Sequence, residues 1–181
     1  LDPACVPKPT GLVGWWRGEG SPDEETGLSA TSGARLSLAY GTGYVGQAFQ
    51  TQNGYVRVGN HAALRPASVT VAAWVRSADG TGVPYVLAKS YDGSGGTYAL
   101  NNGTSGFQFY VLSGGAYRYA RKSVTWDNQW RHVVGTYDGS MVRLYIDGAL
   151  AAESAAPGPL NYSASYQNGD LMIGTYYESP G

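Results

Sequence analysis

Hydrophobic and polar side chains alternate with a period of two along much of this chain, most clearly from Gln129 to Asp147. There Trp-Arg-His-Val-Val-Gly-Thr-Tyr and Met-Val-Arg-Leu-Tyr-Ile are separated by Asp138-Gly139-Ser140, and the second run ends at Asp147-Gly148. Alternation of this kind marks a half-buried strand, and Asp-Gly between two such runs signals a hairpin. With Ser140 included, the first turn also reads as a three-residue loop or a bulge. Further short runs lie near 34–39, 45–50, 54–58, 68–76, 83–89, 96–101, 106–112, 116–124, 149–153 and 170–175, separated by clusters of Gly, Asn, Asp or Pro. No window carries helical periodicity, and no repeat is visible at the spacings of solenoids or propellers. Many short, closely spaced strands predict an all-β, antiparallel two-sheet sandwich.

Composition narrows the function classes. A chain of 181 residues fits one domain, with residues 1–10 reading as a Pro-rich linker and 11–181 as the folded unit. The net charge is −1 and only 14% of residues are charged, so no basic stripe exists to neutralise nucleic-acid phosphates or an anionic membrane surface. No apolar run approaches the roughly 18 residues of a membrane-spanning segment.

The ionisable residues offer little to catalysis. Asp127, Asp138 and Asp147 fall at turns, and Glu24 and Glu25 are neighbours on a polar loop, where extended backbone turns them apart. His132 lies within an alternating run and reads as a sheet histidine, while His61 has no evident nucleophile or metal partner beside it. The aromatic residues carry a positive case instead. In 106–112, Phe107, Phe109 and Val111 share one face, assigned to the core, and Gln108 and Tyr110 share the other. In 116–122, Tyr117, Tyr119 and Arg121 fall on one face. With Tyr85 and Asn101 these residues would form a patch of rings and hydrogen-bonding groups suited to a polysaccharide. The plainer reading is a tyrosine-rich surface of high strand propensity. Trp126, in the polar stretch Ser-Val-Thr-Trp-Asp-Asn, reads either as an exposed stacking ring or as a lid over the sandwich end.

Several segments together resemble the laminin-G-like, concanavalin A-like jelly-roll family: Gly11-Leu-Val-Gly-Trp-Trp16, Val45-Gly-Gln-Ala-Phe49, Gly54-Tyr-Val-Arg-Val58, Val69-Thr-Val-Ala-Ala-Trp-Val75, the run from Gln129 to Asp147, and Leu171-Met-Ile-Gly174. The resemblance spans residues 11 to about 175. It implies a concanavalin A-like jelly roll that binds more often than it catalyses, and the Glu-x-Asp-x-Glu run of the related glucanases does not occur here. It also implies that Trp16, Trp74 and Trp130 are core tryptophans, joined by Phe49, Val71, Phe107, Phe109, Val133, Leu144, Ile146 and Ile173. One structural calcium ion is implied as well, with Glu19 as one ligand and Asn53 or Gly54 as the next; the Asp23-Glu-Glu25 loop is a second candidate or a solvated acidic turn. The family's closing strand, of the type Phe-x-Gly-x-Ile-Asp-Glu-Val, has no counterpart in this sequence. Leu12–Arg17 is therefore expected as a first strand with an open edge, paired with a second polypeptide segment or another chain. Cys5 is either a lone thiol or half of a disulfide whose partner lies beyond Gly181. The function implied is a non-catalytic carbohydrate-binding or adhesion module of a larger secreted or cell-surface protein, of bacterial type. The alternative is a protein-interaction or spacer domain that associates by strand pairing and has no sugar site.

Overall fold

The computed structural model describes residues 8–28, 32–80, 85–90, 95–103, 106–162 and 169–176; Cys5 lies outside them. The strands run β1 (Ser32–Leu36), β2 (Ala39–Thr42), β3 (Gln47–Gln50), β4 (Gly54–Val58), β5 (Val69–Val75), β6 (Tyr85–Lys89), β7 (Tyr98–Gly103), β8 (Gly106–Ser113), β9 (Ala116–Lys122), β10 (Arg131–Tyr137), β11 (Met141–Ile146), β12 (Ala149–Ala155) and β13 (Leu171–Ile173). Among the described residues the helical content is one 3-10 turn, Ala62–Leu64. Seven strands form an antiparallel sheet in the order β1-β4-β13-β6-β7-β8-β9, four form a second in the order β12-β11-β10-β5, and β2 pairs with β3 as a separate hairpin. The product is the two-sheet antiparallel sandwich that the alternation predicts, of the jelly-roll type that the family resemblance implies.

The core forms where the inward faces of the sheets meet. From the larger sheet come Val56, Val58, Leu100, Phe107, Phe109, Val111 and Leu171; from the smaller come Val71, Val75, Val133, Tyr137, Val142 and Leu144, all buried. Phe107, Phe109 and Val111 point inward together, as the alternation of β8 requires. The β10–β11 hairpin closes through the three-residue loop 138–140, with Gly139 at φ +98 and the Asp138 carboxylate accepting from the backbone N–H of Ser140 and Met141 at 2.9 and 2.8 Å. The next turn has two residues. Asp147 and Gly148 both have positive φ, the geometry that matches the twist of paired strands.

Three expectations are corrected. Trp74 is 44% exposed rather than buried. Val71 and Val75 face inward, so an even-numbered neighbour on the same strand must face outward; the ring is covered instead by Tyr44, stacked at 3.7 Å and 9°, with His132 at 5.1 Å. Trp16, Phe49, Ile146 and Ile173 are half-buried at the core margin rather than central, and Trp130 is half-buried with the Arg76 guanidinium 4.9 Å over its ring. Finally, Leu12–Arg17 is not a strand. Among the described residues its ladder is reduced to one bridge, Trp16 to Glu24, with glycines at positive φ on either side at Gly11 and Gly18. The polar groups of Trp15 are met locally: its N–H donates to the Glu24 carboxylate at 2.9 Å and its carbonyl accepts from Glu25 N–H at 2.9 Å.

Candidate functional site

Opposed residues on neighbouring strands project to the same side of a sheet, so the register across β6 to β9 defines the outer face. One transverse row is Tyr85, Asn101, Gln108, Arg121; another is Ala88, Ala99, Tyr110, Tyr119; Leu112 opposes Tyr117 beyond it. The intervening row, Leu87, Leu100, Phe109 and Ala120, enters the core. These tyrosines therefore lie on the side away from the smaller sheet.

The rings form a continuous cluster. Tyr110 lies 5.6 Å from both Tyr117 and Tyr119, which are 6.3 Å from each other, and Tyr85 lies 4.8 Å from Tyr176. Alanines at 88 and 99 provide a flat floor on which Tyr85, Tyr117 and Tyr176 pack. Tyr110 is the buried centre of the patch, its hydroxyl accepting from Gly96 N–H at 3.0 Å. Burial, reinforced by Tyr85, pushes its ionisation well above the usual phenol range, so it stays neutral. Tyr119 is 37% exposed at the outer strand, and the Arg121 guanidinium lies 4.4 Å over its ring. Asn101 is 5% exposed, and its Oδ1 has no hydrogen-bond partner.

Tyr85, Asn101, Tyr110, Tyr117, Tyr119 and Arg121 are thus brought together on one face. Trp126 is not among them. It lies on the core side of the sheet, half-buried, with its ring edge-on to Phe107 at 5.8 Å, which is the lid arrangement. Tyr176 joins the patch without having been singled out in the sequence. It lies outside any alternating run, and only the placement of β13 beside β6 brings it to Tyr85.

The residues directed to calcium are Glu19, Asn53 and Gly54. The Glu19 carboxylate accepts from Gln47 N–H at 3.1 Å, and Gly54 opens β4. Among the described residues no three His, Cys, Asp or Glu side chains converge, so Glu19 would depend on main-chain and amide oxygens such as those of Asn53 and Gly54. In the acidic loop, the Glu24 carboxylate accepts from the N–H groups of Trp15, Thr26 and Leu28. Slight burial raises its pKa, but these hydrogen bonds outweigh it and hold the group below its usual value. His61 caps the 3-10 turn, accepting from Ala63 N–H at 3.2 Å.

Residues 50–180 match the family described as the concanavalin A-like lectin/glucanases superfamily, laminin G type. The chain belongs to this family. No curated protein matches it by sequence. Among solved structures, this laminin-G-like chain is similar to domain 4 of AbnA, a GH43 extracellular arabinanase from Geobacillus stearothermophilus, in complex with arabinotriose. The identity is 15% and the TM-score 0.71, over 93% of this chain and 84% of that one. It is also similar to domains LG4-5 of the mouse laminin alpha1 chain, with 13% identity and a TM-score of 0.50, over 85% of this chain and 36% of that one. At such identities the likeness is one of fold, and function must be argued from the site.

Proposed function

We propose that this chain is a non-catalytic carbohydrate-binding or adhesion module of a larger secreted or cell-surface protein, and that it holds its glycan on the tyrosine face. The observation that carries the reading is the cluster of Tyr85, Tyr110, Tyr117, Tyr119 and Tyr176 beside Asn101 and Arg121. Pyranose and furanose rings present apolar C–H faces that stack on aromatic rings, while their hydroxyls require amide and guanidinium partners. The arabinotriose complex of the AbnA domain lends support at the level of the fold. The four strands β6 to β9 contain no Asp or Glu, so they supply none of the paired carboxylates on which a glycosidase relies. A structural calcium ion at Glu19, with oxygens from Asn53 and Gly54, completes the proposal; it would steady the sandwich edge and take no part in chemistry.

A glycan array, run with calcium and again with chelator, tests both parts. The expected result is modest affinity, because an open platform covers little of its ligand, with lower thermal stability in chelator. Tyr117→Ala with Tyr119→Ala should abolish glycan retention while the melting transition persists. Retention equal to the parent would remove this face, and reducing sugar released by the pure protein would remove the non-catalytic reading.

The second reading, association by strand pairing, is favoured by one feature. Among the described residues β5 ends the smaller sheet with β10 on one side alone, an arrangement that offers a row of backbone groups to another strand. A concentration-dependent dimer in native mass spectrometry, together with no glycan bound, would select it.

A further inference from the structure

The strands that build the tyrosine face carry charge of one sign, but of their cations Arg121 alone projects on that face, because Lys89, Arg118 and Lys122 are in register with the core residues Tyr98, Val111 and Phe107. β6 to β9 contain Lys89, Arg118, Arg121 and Lys122 and no carboxylate, in a chain whose formal net charge is −1. Asp138, Asp147 and Glu153 belong to the other sheet and its turns, where they engage Arg143 and Arg131. At the far margin of the larger sheet, Arg57 is paired with Asp170. Arg57 stands in the row that continues through Met172 and Ala88 to Tyr110, so this neutralised pair lies on the same side of the sheet, on β4, with β13, β6, β7 and β8 between it and β9.

Arg121 differs from Arg57, Arg131 and Arg143. It is exposed, rests over Tyr119, and has no carboxylate partner among the described residues. A guanidinium held over a ring is oriented without using its N–H groups, and its planar fork matches a carboxylate. Asn101 belongs to the same row, two strands away across Gln108, and is buried with Oδ1 lacking a donor. An acceptor left in that state is costly unless a donor arrives.

Building on the glycan-binding reading above, we infer that the tyrosine face selects a carboxylate-bearing glycan, a uronate polysaccharide. Arg121 binds the carboxylate, and Tyr117 and Tyr119 carry the sugar rings. Neutral polymers keep the stacking term and lose the charge-assisted one.

Affinity electrophoresis of the intact protein in gels containing polygalacturonate or neutral arabinan tests this, at roughly 20 mM and roughly 500 mM salt, which bracket weak and strong screening. Polygalacturonate is expected to retard the protein at least about tenfold more strongly than arabinan at low salt, a margin of one ordinary charge-assisted contact. That margin should vanish at high salt. Arg121→Gln should remove it as well, Arg121→Lys should restore part of it, and Arg118→Gln, on the opposite face of the same strand, should leave it in place; thermal melts confirm that each variant is folded. Retardation by arabinan but not polygalacturonate overturns the acid preference and leaves the glycan-binding face standing. Polygalacturonate retardation unchanged in Arg121→Gln overturns the assigned residue and the inference with it. No retardation by either polymer overturns the inference too, and the array with the Tyr117 and Tyr119 variants then decides separately whether any glycan uses the face.

Discussion

At the scale of single residues, a missing side chain lets the two sheets close on each other. Gly135 faces inward on β10, and a Cβ there would collide with the ring carbons of Phe109. Phe109 is wholly buried at the centre of the core. Gly135→Ala should therefore cost about 1–3 kcal/mol by overpacking, and Phe109→Ala about 3–5 kcal/mol by leaving a cavity. Urea unfolding measures both, and a neutral Gly135→Ala would mean that the sheets stand further apart than described here. Trp74 gives the contrasting case. Its ring is 44% exposed and touches the tip of the β2–β3 hairpin through Tyr44. Trp74→Ala should cost clearly less than Phe109→Ala in the same titration, and its main effect should be faster hydrogen exchange in 39–50. An equal cost would return Trp74 to the core.

At the scale of elements, the segment before β1 is held by a carboxylate rather than by a strand ladder. Glu24 gathers the N–H groups of Trp15, Thr26 and Leu28, so its charged form is favoured when the segment is docked. Its pKa is lowered on folding, and the resulting stabilisation is complete above the usual value of 4.5 and disappears as pH falls through the lower folded value. The segment around Trp15 should become accessible to protease below about pH 4.5 while β7 and β8 remain protected. Glu24→Gln should show that accessibility at neutral pH. Cleavage that begins only with global unfolding would show that packing of Trp16 alone secures the segment.

At the scale of the whole molecule, the interior contains ionisable groups whose signs oppose one another in alkali. Lys89 is fully buried, its ammonium donating to Asn60 Oδ1 at 2.9 Å and to the carbonyl of Gly169. Burial, with Arg65 nearby, lowers its pKa to about 8 from the usual 10.5, against the opposing pull of Asp170. The unfolded chain then binds the extra proton between those values, so this group makes stability rise with pH from about 8. Tyr98 and Tyr110 act in the other sense, since burial raises both above the usual 10.0 and their contribution is lost as pH climbs past that value. Thermal melts should therefore show stability increasing between about pH 8 and 10 and declining beyond it. Lys89→Met should flatten the rising limb, and a limb unchanged in that variant would assign it to another group.

The sandwich was legible in the sequence because a half-buried strand must alternate. Runs near 106–112, 116–124 and 141–147 correspond to β8, β9 and β11 within a residue or two, and alternation alone placed Phe107, Phe109, Tyr117 and Tyr119 on their faces. Local turn chemistry was equally readable at Asp147-Gly148. Where that logic was set aside, the reading failed: a family pattern put Trp74 in the core although its parity on β5 pointed it outward. What alternation could not supply was anything that depends on the neighbour of a strand. Whether Leu12–Arg17 forms a ladder depends on a partner, and Glu24 satisfies Trp15 instead. Tyr176 reaches the tyrosine face only because β13 docks beside β6. Trp126 turns inward because Phe107 is there to receive it. Periodicity is a property of one strand and is written in consecutive residues, whereas a site is assembled from several strands, and its membership is decided by sheet order and packing.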